Sequence, residues 1–248
     1  MAVQNSSNQS NVPFILSGES KFLDNATLLQ DAGRLTALAL FTILGRVAVT
    51  VPAVATADGG NTGTGTVTGV ALIAGTLPRV GTWELEVVTA VADGGVFKLT
   101  DPGGNIVRND ITMTPGAGGA TTFYIPEVGL KFVITDSVDF IVGDLFTLAV
   151  SASGKWVPFD PDAVNGAQVP RGILLVDSVT AAALVAGDVT GQAILVGGDC
   201  TVDGSQVVFD DGASTVDTVL AGGGTVRDAL ANVGIFVEAT EAIDGYEN

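Results

Sequence analysis

The chain has 248 residues, 47% of them hydrophobic and 15% charged, and its 33 glycines lie between Val/Thr/Leu runs rather than in a repeat, a composition that predicts a globular β-rich protein rather than a disordered one. Ten Lys and Arg against 27 Asp and Glu give a net charge of -17, a surface that repels phosphate backbones, so direct nucleic-acid binding is not expected. Histidine is absent and Cys200 is the sole cysteine, which removes Ser-His-Asp and Cys-His catalysis, the commonest zinc ligand and any intrachain disulfide.

Residues 1–11 are polar, rich in Asn, Ser and Gln, with neither the basic nor the apolar region of a secretory leader, so an arm with no core of its own is expected over 1–16. Within it Val12, Pro13, Phe14, Ile15 and Leu16 form a β-prone apolar segment. Pro13 keeps it off a central sheet position, leaving two readings: a segment that pairs with a partner, or the first strand of the chain's own domain. Residues 25–29 read as a short strand and 31–33 as a turn. The apolar tract over 35–55 has membrane length, but Arg46 lies near its middle and Thr36, Thr42, Gly45, Thr50 and Pro52 interrupt it; two buried strands are expected, and no membrane span.

From about 57 to 150 the pattern changes. Residues 59–65 are glycine-rich but run into β-branched residues rather than a helix, so they do not form a phosphate cradle. Strands are expected over 65–72 and 82–88. In the second, Trp83, Leu85 and Val87 alternate with Thr82, Glu84 and Glu86, the period-two mark of a sheet wet on one face. Further strands at 96–99, 121–125, 129–134 and 144–150, with a turn at 101–104, predict a small antiparallel, immunoglobulin-like sandwich. It carries 4 basic and 10 acidic residues, whereas residues 1–56 carry 3 and 3.

After residue 150 a hairpin-like unit is expected. After Lys155, Trp156, Val157 and Phe159 give a short β-prone run that Pro158 and Pro161 stop, residues 162–166 read as a turn, and Gly172, Ile173 and Leu174 begin a buried strand. An Ala-rich connection with room for a helical turn follows at 177–187, then strands at 192–196 and 206–209. Thr225 and Asp228 have the spacing of a capping box opening a short helix over 226–232, closed by Gly234, and 234–238 is a last strand. The acidic stretch from Glu241 is expected to be loose.

No catalytic, cofactor-binding or metal-binding residue emerges. Asp199, Asp203, Gly204 and Asp210 partly fit a calcium loop, but Thr201 takes the place of a usual ligand and no bidentate Glu closes it, so a hairpin turn is expected at 199–204. Cys200 reads as a small strand filler. Glu84 with Glu86, and Asp210 with Asp211, are paired carboxylates but read as solvated faces. Gly222 to Gly224 read as a loop.

The segment Gly-Lys-Trp-Val-Pro-Phe-Asp-Pro (154–161), followed about ten residues later by Arg-Gly-Ile-Leu (171–174), resembles the heart of the lambda-type head decoration, or capsid cementing, proteins of tailed phages. In that family a Val-Leu-Gly-Lys-Val strand is followed almost at once by the hairpin; here its counterpart, Ile-Leu-Gly-Arg-Val (43–47), lies about a hundred residues upstream. The closing order of short helix then Gly-Ile-Val-type strand is also similar, and 139–150 looks like β-modules that recur inside phage structural proteins. The resemblance implies a mainly β, discontinuous decoration-protein domain (17–56 and 151–248) with one or two short helices, interrupted by the sandwich at 57–150. It further implies a non-enzymatic virion protein, made in the bacterial cytoplasm, that binds the major capsid protein as a homotrimer on the outside of the expanded head. The 12–16 segment is then the candidate capsid contact, and the sandwich a candidate binder of a host-surface ligand. The alternative is a tail or fibre module whose sandwich grips a host glycan or protein.

Overall fold

The computed structural model describes residues 14–17, 22–114 and 119–238, so Val12, Pro13 and the acidic stretch from Glu241 fall outside it. The described chain is mainly β with two short helices. In order it forms β1 (Ile15–Ser17), β2 (Phe22–Leu28), β3 (Leu38–Ala39), β4 (Ile43–Arg46), β5 (Val49–Thr50), β6 (Thr56–Ala57), β7 (Thr66–Leu72), β8 (Gly81–Val91), β9 (Gly94–Thr100), β10 (Ile106–Met113), β11 (Ala120–Ile125), β12 (Leu130–Thr135) and β13 (Leu145–Ala152). Then come β14 (Trp156–Pro158), β15 (Pro170–Leu174), β16 (Ser178–Val179), α1 (Ala181–Ala186), β17 (Val189–Gly197), β18 (Cys200–Asp203), α2 (Val226–Ala231) and β19 (Ile235–Glu238).

The chain divides into two compact units. One takes Met1–Arg46, Lys155–Ala163 and Ala167–Asn248; the other takes Val47–Gly154 with Val164–Gly166. The chain therefore leaves the first unit at the end of β4, builds the second, and returns at β14.

In the first unit, β14, β2, β17, β15 and β4 close into a five-stranded barrel, in which only the β14–β2 pair is parallel. Two cores flank its strands. Ile43 and Ile173 join Phe14, Phe159, Leu195, Cys200, Val202, Val226, Leu230 and Ile235 in one, while their neighbours Leu44 and Leu174 join Leu28, Leu38, Trp156, Leu184 and Ile194 in the other. Adjacent residues of a strand point to opposite faces, so a strand buried on both sides must be apolar at consecutive positions, as Ile43-Leu44 and Ile173-Leu174 are. A three-stranded sheet, β1-β18-β19, completes the first core together with α2. The β18–β19 pair is parallel, which requires a crossover, and α2 lies within it. The helix starts as the sequence predicts: Thr225 accepts from the Asp228 N–H and the Asp228 carboxylate accepts from the Thr225 N–H, a complete capping box.

Two expectations fail here. Residues 206–209 make no strand; Val208 forms a single parallel bridge to Thr42, and Val207 and Phe209 pack on the core as an irregular segment. The turn expected over 199–204 is displaced: Cys200–Asp203 is the central strand of the three-stranded sheet, and the turn follows it, where the Asp203 carboxylate accepts from Ser205 and Gln206.

The second unit stacks two antiparallel layers, β10-β9-β8-β13-β5 with β6 beside β13, and β11-β12-β7, around one core. Trp83, Leu85 and Val87 of β8 are buried there with Phe97, Leu99, Phe132, Phe140, Phe146 and Leu148. The strand β10 has no counterpart in the sequence reading. It is an edge strand whose polar middle, Arg108, Asn109 and Asp110, breaks the apolar alternation.

Candidate functional site

The residues that carry the family resemblance converge in the barrel. Trp156, Val157 and Pro158 pair antiparallel with Arg46, Gly45 and Leu44, so β4 and β14 form a hairpin although 109 positions separate Arg46 from Lys155. On its other edge β4 pairs with β15, placing Ile173 opposite Ile43 and Gly172 opposite Leu44. The ladder continues past the strand ends: the Gly154 N–H donates to the Val47 carbonyl at 2.8 Å, and the Phe159 N–H to the Ile43 carbonyl at 3.0 Å.

Glycine in this hairpin is a matter of space. A Cβ on Gly45 would lie 2.2 Å from the Ala167 carbonyl oxygen and 2.7 Å from the Ala167 Cα, both backbone atoms that cannot swing away. A Cβ on Gly172 would sit 2.9 Å from the Leu195 carbonyl oxygen and 3.1 Å from the Trp156 ring. The indole, 6% exposed, packs into the space that Gly172 leaves, and the Arg46 guanidinium lies 5.9 Å from its centroid. Phe159, also buried, meets Phe209 edge-on at 6.2 Å.

Lys155 precedes this aromatic pair and is held at its ammonium. Its Nζ meets the Asp188 carboxylate at 2.6 Å, and Asp188 also accepts from the Gln30 N–H at 2.9 Å. The Lys155 hydrogen bond, then the Gln30 N–H, hold the Asp188 carboxyl below the usual carboxylate range. The motif residues thus act as a structural knot, Trp156 and Phe159 by packing and Lys155 through its ion pair with Asp188.

Of the 12–16 segment, the structure describes Phe14 to Leu16. Phe14 is 4% exposed and stacks on Phe41 with centroids 3.7 Å apart, and Ile15 pairs with Val202. Among the described residues, Ile15–Ser17 form the edge strand of the three-stranded sheet, with β18 on one side, and Phe14 leads into it. Phe14 is spent on the chain's own core, so a partner reaching this strand would meet its backbone edge.

The carboxylate pairs singled out in the sequence do not converge. Glu86 is paired across the sheet with Lys98 at 2.5 Å, Asp210 grips Arg34 through two bonds, and Asp211 caps its own turn through Ala213 and Ser214. Asp199, Asp203 and Asp210 do not bring three carboxylate oxygens together as a calcium loop would. Cys200 is buried, with its sulfur near the Gly197 and Gly234 carbonyls.

Two carboxylates that the sequence reading left unremarked matter more. Asp144, 4% exposed, accepts from the backbone N–H groups of Thr62, Gly63 and Ile141 at 2.9 to 3.1 Å. Burial pushes its carboxyl up, but the three donors outweigh it and the group lies below the usual range. The glycine-rich loop is therefore an anion cradle whose anion belongs to the same chain. Asp136, also 4% exposed, is the opposite case: neither oxygen has a partner in good hydrogen-bond geometry, although the N–H of the adjacent Ser137 lies close enough to favour its charged form. Burial raises its pKa first, its neighbours Asp139 and Asp93 raise it further, and the adjacent Ser137 N–H offsets only part. Among the described residues, Asp93, Asp136 and Asp139 alone bring three ligand atoms within 4.8 Å of one another.

No protein-family model matches this chain, and no curated protein sequence does. Two crystal structures of Xanthomonas campestris FlgL are similar over part of it, each at 21% identity, covering 46% of this chain with a TM-score of 0.29. The matched region spans about a third of the FlgL chain, 34% in one crystal form and 33% in the other.

Proposed function

We propose that the protein is a non-enzymatic capsid decoration protein, a homotrimer that binds the outer surface of an assembled phage head. The observation that carries this reading is the β4–β14 hairpin. Two sequence segments that resemble adjacent parts of the lambda-type decoration proteins are a hundred residues apart in this chain, yet they are hydrogen-bonded neighbours in one barrel. A chance likeness of two short segments does not require them to pair in register.

The physical task of such a protein is to hold many shell subunits together without chemistry. Three copies in one trimer convert a weak single contact into a strong one by effective concentration, so each copy needs little contact surface. The edge strand β1 offers backbone donors and acceptors suited to strand addition, with the 12–16 segment as the capsid contact. The acidic charge keeps free copies apart and soluble before assembly.

The test is to mix the purified chain with expanded, emptied heads of the phage that encodes it and to measure co-sedimentation and stoichiometry. Binding in multiples of three, with density at the threefold positions by electron microscopy, is the expected result. A monomer with no affinity for any head overturns the reading, and density on the tail instead selects the fibre or tail alternative.

A further inference from the structure

We propose that Asp93, Asp136 and Asp139 form a calcium site at one end of the second unit's two-layer sandwich. Asp136 follows directly on β12, in one layer, while Asp93 sits in the turn between β8 and β9 of the other, and Asp139 lies on the connection from β12 to β13. One ligand atom from each lies within 4.8 Å of the other two. Two oxygens bound at about 2.3–2.6 Å to one ion are at most ~5 Å apart, so the three can share a calcium ion.

The buried member points to a ligand rather than to a solvated acidic patch. Asp136 is 4% exposed and both of its oxygens lack a partner in good hydrogen-bond geometry, the only such side-chain atoms among the described residues. A buried carboxylate with no well-formed hydrogen bond is costly to keep charged, more so beside two others. A proton would satisfy one oxygen and leave the repulsion between Asp93 and Asp139 in place; a divalent cation removes both problems. The donor set is all oxygen, with none of the Cys or His ligands that typify zinc sites, and so suits a hard cation. It is spread over a turn and a loop, where Asp139 Oδ1 already accepts from the Asp93 N–H at 3.0 Å. Such an irregular set suits calcium, with its variable coordination, better than magnesium, which demands a near-octahedral shell. Water and backbone carbonyls would complete the coordination, and the bound ion would staple the two layers together.

The test is isothermal titration of the full chain, stripped with EDTA, with calcium and then magnesium, repeated on Asp136→Asn and Asp139→Asn. The expected result is one calcium per chain, weaker magnesium binding, and loss of binding in both variants with their far-ultraviolet circular dichroism unchanged. At calcium ~100 times the dissociation constant, the folded-to-unfolded ratio of this unit should rise ~100-fold. Absence of saturable binding up to ~10 mM calcium, above the weak class of extracellular sites, overturns the proposal. So does binding that survives both substitutions, or equal affinity for magnesium. Should Asp136→Asn fail to fold, the exposed Asp139→Asn still decides it.

Discussion

Replacing Gly45 by Ala tests whether the barrel rests on the close approach of β4 to the segment at Ala167. The added methyl would lie 2.2 Å from a carbonyl oxygen and under 3 Å from two further backbone atoms of Ala167, with no flexible side chain to yield. Overpacking of a tight site costs about 1–3 kcal/mol, and a backbone obstacle places this one at ~3 kcal/mol or above. The molecule supplies a separate reporter for each unit, since Trp156 is in the first and Trp83 in the second. In a Trp83→Phe background, urea unfolding followed by indole fluorescence reads the barrel alone. With a slope of ~2 kcal/mol per molar urea, a loss of ~3 kcal/mol lowers the Trp156 midpoint by ~1.5 M. The control is Gly59→Ala, where a Cβ meets nothing within 4 Å, and it should leave the Trp156 midpoint unchanged. An unchanged Trp156 midpoint in Gly45→Ala would refute the backbone contact at Ala167 and, with it, the geometry of the hairpin.

Asp144→Ala strands three backbone donors that the carboxylate now satisfies, and should cost about 3–5 kcal/mol, read as a lower urea midpoint for Trp83. Because the Asp144 carboxyl is depressed in the folded state, its contribution is fully present above the unfolded value of about 3.9 and is lost as pH falls through the lower folded value. The Trp83 midpoint should therefore drop on acidification below about pH 4, and Asp144→Asn should flatten that part of the profile. Thr225→Ala removes the cap of α2, costs about 1 kcal/mol and should lower the Trp156 midpoint alone, by ~0.5 M. Replacing residues 48–153 with Asn-Gly should leave a folded barrel with native Trp156 emission, because the Gly154 N–H already bonds the Val47 carbonyl; aggregation would show that the barrel needs the second unit.

The parts of this fold that are legible in the sequence are those where one local rule decides the outcome. Alternation over 82–88 places Trp83, Leu85 and Val87 inward, and the Thr225/Asp228 spacing starts α2 where it is found. The strand β10 is hidden because an edge strand need bury only one face at a few positions, here Ile111 and Met113, and its polar middle resembles a loop. Cys200–Asp203 is only partly legible, for the reverse reason: Cys200 reads as a strand filler, as it proves to be, but its surroundings do not. Its Asp-Cys-Thr-Val-Asp-Gly text reads as a turn, but burial of Cys200 and Val202 between β1 and β19 overrides the local preference. The acidic cluster has no sequence signature at all: Asp93 and Asp136 are 43 positions apart, and only the stacking of two sheets brings them together.

The position at which the second unit departs from the first follows from chain statistics. The point of departure is the turn of a hairpin, whose two ends are by definition adjacent, and Val47 and Gly154 remain one hydrogen bond apart. A disordered loop of a hundred residues between them would cost closure entropy growing as the logarithm of its length, whereas a folded unit whose termini already meet costs little more than the tight turn it displaces. The same geometry explains why the motif residues are found in order on either side of the gap: β4 and β14 pair by register, and register depends on side-chain alternation and on Gly45, not on how many residues the connection contains. The barrel and the sandwich can therefore answer to different demands, the one for a fixed set of close backbone contacts, the other for charge balance among buried aspartates.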